Sequence, residues 1–198
     1  MFDALFTTTT EYKKLSHALS GKGACALFGL PASGRAQVYA ALCRQLDKPL
    51  CIVTPGEAEA TRFAADLNTL GIPAAVFPAR DYVLRPIEGT AREYEYRRLA
   101  VLGELVGGRL RAVAVPAEAL TQFTTPKEDF CANTRTLHAG DTLLRDDLLA
   151  ALFGAGYTRR AQVDGPGQFS VRGDIVDIFA PDQKMPVSYT HLTLPTIA

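Results

Sequence analysis

The sequence predicts an α/β protein, with a doubly wound parallel-sheet domain over residues 1–120 and a small α+β module over 121–186. Three observations predict it. Short apolar runs of strand character alternate with segments of helical spacing, composition turns polar and proline-containing after Pro116, and a paired strand signature follows the turn Gly165-Pro166-Gly167.

Taken in order, the strands of the first domain are expected at Ala24 to Phe28, Leu50 to Val53, Ala74 to Phe77 and Ala112 to Val115. Between them Arg35 to Leu46, Glu57 to Leu70 and Ala91 to Val106 read as helices, the last with Leu99, Leu102 and Val106 near helical spacing. Such alternation implies a parallel sheet covered on both faces. Ala117 to Leu120 makes one helical turn, and Thr121 to Asp129 is a polar connection. The second module then shows a strand over Thr134 to His138 and a helix N-capped by Asp141, with Leu143, Leu144, Leu148, Leu149 and Leu152 on its face. Strands at Gln162 and over Gln168 to Phe179 complete it.

The most distinctive stretch is the one that closes the module. Gly165-Pro166-Gly167 must turn, because proline fixes its own φ and glycine tolerates positive φ. Gln168 to Arg172 alternates at period two and Ile175 to Phe179 is β-branched and aromatic, so Arg172-Gly173-Asp174 is the tight link of a hairpin. Arg172 thus stands beside a rigid turn, well placed to meet a partner's carboxylate in two-point geometry. An ordinary solvated arginine fits the same spacing, which by itself favours that plainer reading.

A second candidate lies after the first strand. Gly29-Leu30-Pro31-Ala32-Ser33-Gly34-Arg35-Ala36 has the placement and glycine spacing of a phosphate-binding loop. A working loop carries a lysine and a Ser or Thr hydroxyl for Mg²⁺ where Arg35 and Ala36 stand. Pro31 removes one backbone N–H from any anion cradle, and no aspartate ends an apolar strand. Gly29, Ser33, Gly34 and Arg35 therefore read as a relic loop without hydrolysis. A plain strand-to-helix turn and a weak anion site stay open as alternatives.

Composition excludes several function classes. Lys and Arg number 21 against 21 Asp and Glu, so no global field draws this segment to nucleic acid or a membrane surface. The basic and aromatic stretch from Arg80 to Arg98 is neutralised by Glu88, Glu93, Glu95 and Glu104, and pairs such as Glu93 with Arg97 suit a solvated helix face. His17, His138 and His191 are scattered, no Ser or Cys has a base nearby in sequence, and no metal-ligand spacing occurs, so neither nucleophilic catalysis nor a metal site is indicated. Asp174 and Asp177 fall on opposite strand faces, which argues against a carboxylate pair acting together. Cys25, Cys43, Cys51 and Cys131 are unpaired in spacing, with Cys25 and Cys51 inside apolar runs, which suits a reducing cytoplasm. No signal peptide or membrane helix is expected.

The runs Gly156-Tyr157-Thr158-Arg159 and Gly165 to Pro181 resemble the signature of the UvrB-homology module of UvrB and the bacterial transcription-repair coupling factors. A looser resemblance extends over nearly the whole chain. The resemblance implies that the first domain is a degenerate P-loop, helicase-like domain and that the second docks onto UvrA. Arg159 and Arg172 fall on matching arginine positions, whereas Ser170 stands where UvrB has a further arginine. Phe169 and Phe179 are expected to add apolar area, with a core role equally open for Phe179. The resemblance also implies an amino-terminal fragment without ATP hydrolysis. It assigns RNA polymerase, double-stranded DNA and an ATP- and Mg²⁺-dependent motor to parts of the parent beyond this chain. The rival readings are a UvrB-type repair ATPase and an anion- or nucleotide-binding regulatory domain. Val187 to Thr196 resembles the translation of a sequencing adapter, so 187–198 is expected to be a non-native tail.

Overall fold

The computed structural model describes residues 7–21, 24–46, 48–80, 91–138, 143–183, 185–189 and 192–193. The chain divides into two compact units, Met1–Asp81 with Glu104–Gln122 and Tyr82–Gly103 with Phe123–Ala198. The elements in chain order begin with α1 (Thr10–Ser20), α2 (Ala32–Gln45), β1 (Leu50–Thr54), α3 (Glu57–Thr69) and β2 (Ala74–Val76). Next come α4 (Ala91–Val106), within which the division falls, then β3 (Ala112–Pro116) and α5 (Ala117–Leu120).

The first unit is built on a parallel sheet of order β1-β3-β2, with Ala112 of the central strand opposite both Leu50 and Ala74. Central placement explains why all of β3 is buried, including Ala112 and Ala114. Ala36, Ala40 and Cys43 recur on one face of α2 and join Ala60, Phe63, Ala64 and Leu67 of α3 and Ile52 of β1 in one core. Small side chains on α2 allow this close approach. Its other face packs Val38, Ala41 and Leu42 against Tyr12 of α1. Arg111 donates to the Cys43 and Leu46 carbonyls at 2.6 and 2.5 Å, satisfying groups that the end of α2 leaves without helical partners.

Helix α1 is absent from the sequence expectation. Its start is set by Thr9, whose hydroxyl accepts from the Tyr12 amide at 3.3 Å. Ala24 to Phe28, expected to be the first strand, is irregular and exposed. An apolar run becomes a strand where a neighbour satisfies its N–H and C=O groups, and the described residues supply this one with no ladder. Cys51 and Val53 of β1 are exposed as well, so the sheet is open on one face at this edge rather than covered on both. Cys43 alone among the four cysteines is buried, and burial pushes its thiol pKa up despite the lowering fields of Arg111 and Arg44.

The second unit contains α6 (Lys127–Ala132), β4 (Leu143–Leu144), α7 (Arg145–Gly154), β5 (Thr158–Arg159), β6 (Gln168–Arg172), β7 (Ile175–Phe179), β8 (Val187–Tyr189) and β9 (Leu192–Thr193). Strands β5-β6-β7-β8 form one sheet, parallel between β5 and β6 and antiparallel elsewhere, while β4 and β9 pair separately. Thr134 to His138 is irregular instead of a strand. Leu143 and Leu144 pair as β4 rather than lying on the helix, which begins at Arg145; the expected cap Asp141 lies outside the described residues. Asp146 and Asp147 occupy the first turn of α7, where the exposed amides favour negative charge. Val187 to Tyr189, within the stretch expected to be a non-native tail, pairs with β7.

Residues 91–103 belong with the second unit, although sequence alternation groups them with the first. Arg98 of α4 is 3% exposed and donates to Thr124 Oγ1 at 2.8 Å. Gly167, at φ +74°, lies against the Tyr96 ring so closely that a Cβ would collide with it. On the solvated side, Arg97 pairs with Glu93 at 2.5 Å, as the spacing predicts. Among the described residues no helix is long and apolar enough to cross a membrane.

Candidate functional site

Gly173 has φ +59° and Asp174 a negative φ, the signature of a two-residue type II′ hairpin. This turn sets the register: Arg172 opposite Ile175, Ser170 opposite Asp177, Gln168 opposite Phe179. Period two then separates the two faces. Phe169, Val176 and Ile178 cluster with Leu148 and Leu152 of α7, forming the core of the unit. Phe169 is 0% exposed and its ring meets Phe153 edge-on at 5.1 Å, so the expectation that it adds apolar area to a docking surface is corrected. A residue directly opposite Ile178 must share its face.

The other face is polar at its centre. Asp177 is buried, yet its Oδ2 accepts from Ser170 Oγ at 3.0 Å and from Arg172 Nη2 at 2.6 Å, and its Oδ1 accepts from Ser188 Oγ at 2.5 Å. The Ser188 hydrogen bond, with those of Arg172 and Ser170 and the arginine charge, holds this carboxyl below the usual aspartate range against the opposing effect of burial. The Arg172 side chain is 68% exposed while that of Asp177 is 10% exposed. An outward guanidinium therefore rests on an inward, fully engaged carboxylate. Phe179 shares the face by register and is half-buried.

Arg159 is exposed on the edge strand β5, but its register partner is Phe169, so alternation sets it on the face opposite Arg172. The structure does not bring the two expected arginines onto one face. It brings another to the turn: Arg145, at the start of α7, approaches the Gly173 carbonyl with Nη1 at 3.5 Å. Sequence reasoning missed Arg145 because that contact spans separate elements. It also missed the Asp177 partnership, although the two-residue turn already sets Ser170 opposite Asp177 once the register is counted.

The turn from Gly29 to Ala36 is organised differently. Pro31 precedes α2 without a side-chain cap, and the Arg35 amide donates to the Pro31 carbonyl at 3.0 Å. Gly29, at φ +80°, and Ser33 are exposed, and Gly34 lies in the first turn of α2. Arg35 reaches α3, with Nη1 3.8 Å from Glu59 Oε1 and its guanidinium carbon 5.7 Å from the Phe63 ring centre. Ala36 is buried in the core. Among the described residues no His, Cys, Asp and Glu gather in a group able to hold a metal ion.

Residues 136–190 match the UvrB interaction domain family. The chain is 36% identical over 165 residues to the transcription-repair-coupling factor of Mycobacterium bovis, a match covering 79% of this chain and 13% of the relative. It is 29% identical over 163 residues to the transcription-repair-coupling factor of Bacillus subtilis, covering 81% of this chain and 14% of the relative. A third such factor, from Staphylococcus aureus, is 27% identical over 153 residues, covering 76% of this chain and 13% of the relative. The chain thus spans about one-seventh of the length of these relatives.

Proposed function

We propose that this chain, a relative of the transcription-repair-coupling factors that carries a UvrB interaction domain, recruits UvrA in transcription-coupled nucleotide excision repair. The observation that supports this reading is the hairpin inside the matched domain, with an exposed Arg172 seated on buried Asp177. A guanidinium so placed suits a carboxylate on a partner protein, and an arginine central to such an interface contributes about 2 kcal/mol or more. Arg159 reaches the partner from the sheet edge and contributes less, and Phe179 supplies adjoining apolar area.

The first unit, on this reading, is a degenerate helicase-like domain that does not turn over ATP. Arg35 engages Glu59 and the Phe63 ring, and Ala36 has no hydroxyl to offer Mg²⁺. ATP-driven motion on double-stranded DNA and contact with RNA polymerase belong to other parts of such factors, and the setting is the cytoplasm. Capture of UvrA by the full chain, compared with Arg172→Glu and Arg159→Glu, tests the proposal. Loss of capture with Arg172→Glu is the expected result; equal capture by all three removes the site, and Mg²⁺-dependent ATP turnover by the chain removes the inert first unit.

A further inference from the structure

We propose that Asp177 is a positioning residue for docking: its buried carboxylate holds the Arg172 guanidinium in the conformation offered to the partner, so the hairpin binds preorganised. The inference rests on the UvrA-docking reading and names what prepares that same site. Arg172 Nη2 lies 2.6 Å from Asp177 Oδ2, an oxygen that also accepts from Ser170 Oγ at 3.0 Å. Ser170 is 1% exposed, so the carboxylate is anchored by a buried neighbour on the same sheet face. Asp177 Oδ2 thus serves one guanidinium and one hydroxyl at once.

The energetic logic follows from exposure. A long side chain that is 68% exposed gives up rotamer freedom when a partner immobilises it, which typically weakens binding. Tethering one nitrogen to an immobile carboxylate exacts that loss during folding, and the exposed remainder of the guanidinium meets the partner already oriented. The tether spans five residues across a tight turn, so it adds little conformational demand of its own.

The test is a double-mutant cycle on UvrA binding by the full chain, with wild type, Asp177→Asn, Arg172→Ala and the double variant. Asparagine keeps the shape of the site and loses the charge. Asp177→Asn is expected to weaken binding about three- to tenfold when Arg172 is present and to have no effect in the Arg172→Ala background. Equal losses in both backgrounds would mean that Asp177 only supports the fold, and would overturn the inference. A partner-free measurement separates this outcome from failure of the docking reading: the Arg172 Nε–H order parameter by ¹⁵N relaxation. Rigidity in the wild type and release in Asp177→Asn support positioning even if UvrA is not captured, whereas a mobile Arg172 in the wild type overturns it whether or not the variant folds.

Discussion

Arg35 and Arg172 each stand near a glycine-containing turn and each face a carboxylate, but the two pairs differ in how deeply that carboxylate is buried and how closely it is held. Arg35 lies 3.8 Å from Glu59, with side chains 42% and 26% exposed, and its guanidinium rests over the Phe63 ring. Arg172 lies 2.6 Å from Asp177, with the arginine 68% and the aspartate 10% exposed. In the first pair the arginine is drawn down onto its own fold, and both charges are screened by solvent. In the second the carboxylate is sunk into the sheet and the arginine is left outward. On the proposed docking reading, an acid sunk this deep turns an intramolecular ion pair into a mount for an intermolecular one. The depth of the partner carboxylate, more than residue type, separates the two arginines.

The sharpest way to break this comparison is to remove the floor beneath the hairpin. Phe169→Ala deletes a fully buried ring and is expected to cost the second unit about 3–5 kcal/mol, with Arg172 losing its mount; denaturant unfolding followed through the tyrosines of that unit checks it. Arg172→Glu leaves the core intact and should weaken UvrA capture roughly 30-fold, the equivalent of about 2 kcal/mol, with Arg159→Glu distinctly milder because its register sets it on the other face. Comparable losses from the two substitutions would dissolve the distinction between the sheet faces.

Acid provides a subtler probe. The folded-state pKa of Asp177 is lowered below its unfolded value, so its contribution to stability is present above the unfolded value and is lost as pH falls through the folded one. Unfolding midpoints measured downward from about pH 4 should fall more steeply for the wild type than for Asp177→Asn. Parallel curves would show that the carboxylate is not engaged in solution. The smallest effect is expected at the other arginine: Arg35→Ala should change stability by about 1 kcal/mol or less and leave UvrA capture unchanged, because its ion pair is long and solvent-exposed. A large loss of capture there would place function in the loop and erase the contrast.

Legibility in sequence differed between the same two regions. Gln168–Arg172 and Ile175–Phe179 form as read, because period-two alternation, β-branched residues and a Gly-Asp turn all act within a few residues. Ala91–Val106 and Ala117–Leu120 also form as read. Ala24 to Phe28 is apolar throughout and stays irregular, since a parallel strand needs a neighbour that local pattern cannot supply. Cys51 shows the same blindness: it sits in an apolar run yet is exposed, because which sheet face is covered depends on a helix elsewhere in the chain. Phe169 and Phe179 looked alike as aromatic neighbours of the hairpin. One was drawn wholly into the core and the other left half-buried by a difference of parity across the register.

Composition and local pattern by themselves determined that this chain alternates helices and strands, that its phosphate-loop-like turn lacks a metal hydroxyl, and that Arg172 flanks a tight hairpin. These properties depend on residue identity and on spacing over a few positions. Tertiary structure alone decided how deeply Asp177 would be buried and that Ser188 would reach it, that Arg145 would reach the turn, and that Arg159 would fall on the opposite sheet face. Burial and pairing between elements are set by which surfaces exclude water together, and that is a property of the assembled chain rather than of any stretch within it.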